Sequence, residues 1–356
     1  MKILVTGGCG FIGSSVVRRA LAEGFAVVNV DAITYAGDPD NIGDAQSSPR
    51  YAFEYADVCD AEAMATIFAR HQPDAVLHLA AESHVDRSID GPLAFVRTNV
   101  MGTATLLEAA RTHLARLPDS RRAGFRFHHV STDEVFGALG EEGVFDELSP
   151  YAPNSPYSAS KASSDMLVRA WGRTYGLPVV VTNTSNNYGP FQHPEKLIPT
   201  VIVNALEGRP IPLYGRGAQV RDWLYVEDHA AALLRVLVHG QTGETYCIGG
   251  EAEHSNFDIV RIVCAALDRT RPRARPHADL IRFVADRPGH DFRYAISNAK
   301  IEADLGWRPS VDLEAGIGRT VRWYLDHEAW WTAIRERGFS GARLGRVQQV
   351  HAVGAR

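Results

Sequence analysis

"TGGCGFIG", residues 6–13, joins the apolar run KILVT (2–6) to SSVVRRALAE (14–23), whose periodicity is that of a helix closed by Gly24. A second β-rich run, FAVVNVD (25–31), follows directly. Strand, glycine turn, helix and strand with short connections make a β-α-β unit, the building block of a parallel sheet. The glycines fall at Gly7, Gly10 and Gly13 in the spacing G-x-x-G-x-x-G. Without Cβ atoms the first two permit a tight turn and close approach to a pyrophosphate, and the helix amino terminus turns its N–H groups toward that charge. The third lets helix pack on strand. Asp31 ends the second strand, where a carboxylate accepts hydrogen bonds from an adenosine ribose. An acid there repels a 2′-phosphate and no arginine adjoins it, so NAD is expected in preference to NADP. Asp57, in YADVCD, either meets the adenine edge or is an ordinary surface carboxylate.

Further apolar runs at DAVLHLAA (74–81), FRFHHVST (125–132) and PVVVTNTS (178–185) alternate with helical stretches. The fold class expected is α/β, a Rossmann-like doubly wound parallel sheet over residues 1–185, with 225–250 returning to it. After Asn186 the texture changes. Residues 186–224 are rich in Gly, Pro and aromatics, and 251–258 and 283–294 look alike, so a smaller, discontinuous substrate domain is expected over 186–224 and 251–330. Residues 331–356 are expected to be a tail; 335–356 hold five arginines and one glutamate, as a solvated or frayed end would. Clefts between such domains are where small molecules bind.

With Lys+Arg 37 against Asp+Glu 42, the net charge of −5 offers no basic surplus for nucleic acid. Cys9, Cys59, Cys247 and Cys264 are far apart, which fits neither a zinc site nor a disulfide framework and suits a reducing interior. No metal is expected. MKILVTGG breaks into glycine too soon for a signal peptide, and no apolar run approaches the ~20 residues of a membrane span, so a cytoplasmic protein without membrane association is expected.

YSASK (157–161) sets Tyr157 and Lys161 four positions apart, one turn along the same helix face. Taken alone, that is a core aromatic beside a solvated lysine as readily as a catalytic pair. Following a glycine-loop unit, it points to a phenol that a neighbouring ammonium and a positive nicotinamide turn into a base. STDEVFG (131–137) closes an apolar strand, where doubly wound folds place ligands. Thr132, Asp133 and Glu134 are either a strand-end turn with a helix cap or a catalytic group. Adjacent carboxyls in a cleft can hold opposite protonation states, one acid and one base. A reaction removing both a proton and a hydroxyl needs that division.

TGGCGFIGS, AAESHVDRSI (80–89), STDEVFG, YSASKASSD (157–165), SNNYGPFQHPEKLIP (185–199), RDWLYVEDH (221–229) and DRPGHDFRYAI (286–296) resemble the successive motifs of the nucleoside-diphosphate-glucose 4,6-dehydratases, closest to the dTDP-glucose enzymes. These belong to the extended short-chain dehydrogenases/reductases. Asp133 discriminates, since related epimerases generally lack the Asp-Glu pair. The resemblance implies that Tyr157 takes the glucose C4 hydroxyl proton as hydride passes to NAD, with Thr132 orienting the oxygen. Glu134 then removes the C5 proton, Asp133 protonates the departing C6 hydroxyl, and the hydride returns to C6. Lys161 supports Tyr157.

The resemblance adds Phe11, Ile12, Val58 and Ala80 to the cofactor's lining. It gives Asn186, Lys196 and Leu197 to sugar and diphosphate, and Arg221, Asn256, Arg287 and His290 to diphosphate and nucleoside. Ser83 touches sugar or phosphate, or merely caps a loop. Tyr214 stacks on the pyrimidine, or packs in the core. A homodimer through helices near 100–115 and 158–175 is implied, although hydrophobic faces there could equally pack internally. Three departures from the family pattern stand out: Phe136 for tyrosine, Cys9 for alanine and Cys247 for asparagine. Two alternatives stay open: another NAD-dependent nucleotide-sugar enzyme (UDP-glucose 4,6-dehydratase, 5,6-dehydratase, epimerase or decarboxylase), and a non-catalytic NAD-sensing module.

Overall fold

Short β-branched runs alternating with helices leave the chain one economical arrangement, a parallel sheet covered on both faces. The computed structural model describes residues 1–286 and 289–337. Its strands are β1 (Lys2–Thr6), β2 (Ala26–Asp31), β3 (Tyr51–Tyr55), β4 (Ala75–His78), β5 (Arg126–Thr132), β6 (Val179–Thr184), β7 (Asn186–Tyr188), β8 (Ile211–Tyr214), β9 (Val220–Tyr225), β10 (Thr245–Ile248), β11 (Glu253–Ser255) and β12 (Ile281–Val284). The main sheet has seven strands in the order β10-β6-β5-β4-β1-β2-β3, every pair parallel. Strand order reverses between β1 and β4, and the crevice at their carboxyl ends is where such sheets bind ligands.

Alternation along β1 feeds two cores. Ile3 and Val5 join the helices Phe11–Ala22 and Val226–His239 on one face. Leu4 joins Ala61–His71, Thr103–Arg116 and Pro156–Tyr175 on the other. The second unit holds β7, β9 and β11 in one sheet and β8 and β12 in another. Its core gathers Ile202, Val263, Ile317 and Tyr324 from the helices Leu197–Leu206, Asn256–Thr270 and Leu313–Asp326.

Two boundaries differ from the sequence expectation. Ile301, Leu305 and Trp307, assigned to the second unit, pack in the core beside β1, because this apolar segment covers the sheet next to β10. The expected tail from 331 begins instead as helix: Glu328–Glu336 is helical and buries Trp331 in the second core. Residues 338–356 lie outside the described residues. Among the described residues, no helix is long and apolar enough to cross a membrane.

Candidate active site at the sheet's carboxyl edge

A cleft of about 360 Å³ opens along the carboxyl ends of the strands. Its first wall is the glycine loop. Gly7 sits at φ 73, where side-chained residues are disfavoured, and a Cβ there would lie 2.8 Å from Ala80. A Cβ on Gly13 would lie 2.0 Å from the Gly7 carbonyl oxygen, so helix and strand approach closely only with glycine. At Gly10 a Cβ would meet only the Gly7 oxygen at 3.4 Å, and no side chain caps the Phe11–Ala22 helix. Its free N–H groups therefore face the cleft, as a pyrophosphate requires.

Asp31 lies at the end of β2, 9% exposed, its oxygens accepting the Cys9 amide at 2.9 Å and the Ile33 amide at 2.8 Å. Burial raises its pKa against those two hydrogen bonds. Phe11, Ile12, Val58 and Ala80 line the same cleft. Asp57 also lines it, exposed and 3.7 Å from the Arg97 guanidinium, so its carboxylate has a partner at the rim. These features suit a dinucleotide with an unphosphorylated adenosine ribose.

The catalytic candidates arrive on two elements. Ser155 and Ser158 form a capping box, Pro156 occupies the first helical turn, and Gly176 ends the helix at φ 68. Such a cap contributes about 1 kcal/mol and fixes where the helix begins. Tyr157 thus sits in the first turn, with Lys161 one turn on; both side chains are buried and line the cleft. β5 ends at Thr132, whose hydroxyl accepts the Glu134 amide at 3.3 Å and lies 3.3 Å from Asp133 Oδ1. Asp133 is 1% exposed and its Oδ2 meets no protein donor.

Burial, then the charges of Glu134 and Asp222, push the Asp133 carboxyl well above the usual range, outweighing Arg221 and the Thr132 hydrogen bond. The expectation that Lys161 lowers the phenol meets a different balance. Lys161 Nζ donates to the Val130 carbonyl at 2.8 Å. Burial and then Glu134's charge raise Tyr157, while the Thr132 hydroxyl's hydrogen bond opposes them. Burial also pulls Lys161 down to about 8, against Asp165.

The family model described as GDP-mannose 4,6 dehydratase matches residues 4–320. The chain belongs to the nucleotide-sugar 4,6-dehydratases. It is 58% identical over 340 residues to dTDP-glucose 4,6-dehydratase of Shigella flexneri, covering 93% of this chain and 94% of that one. It is 56% identical to dTDP-glucose 4,6-dehydratase 1 of Escherichia coli K12, with 98% of each covered. Among solved structures it resembles the dTDP-glucose 4,6-dehydratase DesIV of Streptomyces venezuelae, crystallised with NAD and a second ligand, at TM-score 0.86 and 45% identity, covering 94% of this chain and 100% of that one.

In this member of the family Ser83, Asn186 and Lys196 line the cleft beside the catalytic candidates. Lys196 donates to the Ser83 carbonyl at 3.1 Å, and Asn186 Oδ1 is shut off from solvent with no protein donor. Leu197, Tyr214, Arg221, Asn256 and His290 stand outside that wall, in the second unit; Arg287 lies outside the described residues. Tyr214 donates to Asp86 at 3.0 Å and meets His290 edge-on at 6.2 Å. The Asn256 amide donates to the Gln219 carbonyl at 2.9 Å. Arg221 lies 4.3 Å over the Tyr294 ring and donates to the carbonyls of Val220 and Asp291 at 2.7 and 3.0 Å.

Sequence reasoning missed the buried group behind Lys161. Asp165 accepts from Tyr151 Oη at 2.7 Å and Asn183 Nδ2 at 3.2 Å, and lies 3.1 Å from His129 Nε2. Burial would raise its carboxyl, but the close approach of His129, then Lys161's charge, hold it below its ordinary value. The signal was present, for Asp165 is four residues past Lys161 and so on its helix face. Arg87 was also missed: it pairs with Glu195 at 3.0 Å and covers the Tyr35 ring at 3.7 Å, bracing the cleft mouth.

Proposed function

We propose that the chain is an NAD-dependent dTDP-glucose 4,6-dehydratase, converting dTDP-glucose to dTDP-4-keto-6-deoxyglucose and water. The observation that carries this reading is the pair at the end of β5. Asp133 is enclosed, its protonated form favoured by burial and by the charge of Glu134, and the half-buried Glu134 stands next to it, both opening on the cleft that holds Tyr157. One acid and one base side by side are what an elimination requires, and oxidation alone would not.

When bound, NAD supplies the hydride acceptor for C4 and the hydride donor for C6. Tyr157 takes the C4 hydroxyl proton, its phenolate favoured by the Thr132 hydroxyl, and a ketone forms at C4. That ketone acidifies C5, whose proton Glu134 accepts, while Asp133 gives its proton to the C6 hydroxyl, which leaves as water; C5 is reprotonated as C6 is reduced. Lys161, fixed to the Val130 carbonyl, holds positive charge near the phenol. Ser83, Asn186 and Lys196 orient sugar and diphosphate; Leu197, Tyr214, Arg221, Asn256, Arg287 and His290 serve the nucleotide end. The assignment is tested by incubating purified protein with dTDP-, UDP-, CDP- and GDP-glucose and following product mass. dTDP-glucose is expected to lose one water without added NAD. Failure to dehydrate any of the four with NAD supplied would overturn the assignment.

The same reading includes a cytoplasmic homodimer. All four cysteines are free thiols, in keeping with a reducing compartment. Met101 is 58% exposed and Met166 57%, on the helices proposed to pair, with Tyr175 exposed on the second and Leu93 and Val96 exposed just before the first. Unpartnered apolar groups on adjacent elements are what a self-associating face presents. Sedimentation equilibrium should report two chains per particle at micromolar concentration, and Met166→Glu should shift the balance to one chain. A wild-type monomer would remove this part of the reading.

A further inference from the structure

We infer that Trp330, on the helix Glu328–Glu336 far along the chain from the glycine loop, is a positioning residue of the NAD site. The inference rests on the NAD reading above. Three hydrogen bonds run in series. Trp330 Nε1 donates to Asn41 Oδ1 at 2.9 Å, Asn41 Nδ2 donates to the Cys9 carbonyl at 2.8 Å, and the Cys9 amide donates to Asp31 Oδ2 at 2.9 Å. Cys9 is the middle residue of the glycine loop, and Asp31 is the ribose acceptor. The relay therefore starts on a C-terminal helix and ends on the two groups that define the adenosine half of the cleft.

The chemistry of the end groups fixes the middle one. A primary amide can be turned over, exchanging oxygen for nitrogen at little steric cost. An indole N–H can only donate and a carbonyl can only accept. Placed at opposite ends of Asn41, which is 1% exposed, they admit one orientation of its amide. That orientation holds the Cys9 carbonyl, which also accepts the Asp38 amide at 3.0 Å. With its carbonyl held by two donors and its N–H held by Asp31, the two peptide planes that flank Cys9 are both set. The N–H groups that follow it into the Phe11–Ala22 helix are set with it.

Packing keeps the indole in place. Trp330 meets Trp323 at 5.0 Å and Phe191 at 5.9 Å, and the Arg18 guanidinium of the glycine-loop helix lies 4.5 Å over Phe191. Arg337, one residue past the same helix, pairs with Asp38 at 2.9 Å. The neighbouring Trp331 supplies a built-in control. Its Nε1 donates to the Tyr324 carbonyl at 3.0 Å, within the second core and away from the glycine loop.

The test compares Trp330→Phe with Trp331→Phe in the full-length protein. Each removes one indole N–H from the same helix and keeps an aromatic ring. After stripping and reconstitution, NAD affinity is read by quenching of intrinsic fluorescence, and thermal stability is read separately. Trp330→Phe should weaken NAD binding about 3- to 10-fold, the range of one lost hydrogen bond, with kcat at saturating NAD within two-fold of wild type. Trp331→Phe should lower the melting temperature with NAD affinity unchanged. Asn41→Ala, which cuts the relay from its other end, should weaken NAD at least as much as Trp330→Phe and serves in its place if that variant does not fold. Equal NAD affinity in Trp330→Phe and wild type, or equal losses in both tryptophan variants, would overturn the inference. A wild-type protein that binds no NAD would instead overturn the cofactor reading on which it rests.

Discussion

Replacing Tyr157 with Phe is expected to slow dehydration about 10²–10⁴-fold, the usual worth of a positioned general base. NAD content should stay near wild type. The phenol lies in the first turn of a helix whose start is fixed by the Ser155–Ser158 box and Pro156, so loss of one oxygen leaves the backbone where it was. The ring is 8% exposed and packs edge-on with Phe95 at 6.3 Å, a contact that Phe preserves. What disappears is the proton acceptor for the C4 hydroxyl. No ketone then forms, C5 stays unacidified, and Glu134 and Asp133 have nothing to act on. The variant should therefore show neither reduced nicotinamide absorbance in a single turnover nor water loss by mass. Dehydration within ten-fold of wild type would remove Tyr157 from the mechanism. The pH profile of the wild type carries a related mark. In the proposed mechanism Lys161 supports the phenol only as an ammonium, and burial pulls it down to about 8, so that support is present below this pH and is lost as pH rises through it.

Much of this was legible in the sequence because the residues concerned answer to local rules. The glycine spacing, Asp31 at a strand end and the Tyr157/Lys161 interval each follow from the geometry of one or two elements, and the structure brings them to one cleft. What escaped depends on distant pairings. Trp330 and Asn41 are 289 positions apart, and Arg87 and Glu195 are 108. No periodicity marks such partners. The helix over Glu328–Glu336 was hidden by the arginine-rich sequence that follows it, although its Trp331 is buried. The burial of Tyr157 was not legible for another reason. A charge four residues away can be read from spacing, whereas burial, the main cause that raises this phenol, is a property of the finished fold.

The Asp133 and Glu134 variants should both stop after oxidation, and that arrest separates the elimination pair from the hydride step. Glu134→Gln keeps Tyr157, so the C4 hydroxyl can still be oxidised, and a single turnover should show reduced nicotinamide that persists. The C5 proton then has no acceptor, and water loss should fall about 10²–10⁴-fold. Asp133→Asn should also accumulate reduced nicotinamide, because its amide has no proton acidic enough for the leaving hydroxyl. Equal loss of oxidation and elimination in both variants would count against the division of labour. Asp133 adds a consequence for stability. Its pKa is raised in the folded chain by burial and by Glu134 and Asp222, whereas in the unfolded chain it ionises near the ordinary value of about 3.9. Above that pH the unfolded state releases a proton that the folded state retains, so this residue lowers stability as pH rises toward its folded pKa. Asn cannot ionise. Asp133→Asn should therefore melt higher than wild type at neutral pH and show no such difference below about pH 3, where both states carry the proton. A variant that is inactive yet more stable is the result expected of a buried acid held protonated for catalysis at the fold's expense. A lower melting temperature for Asp133→Asn at neutral pH would mean that the carboxyl serves the structure instead.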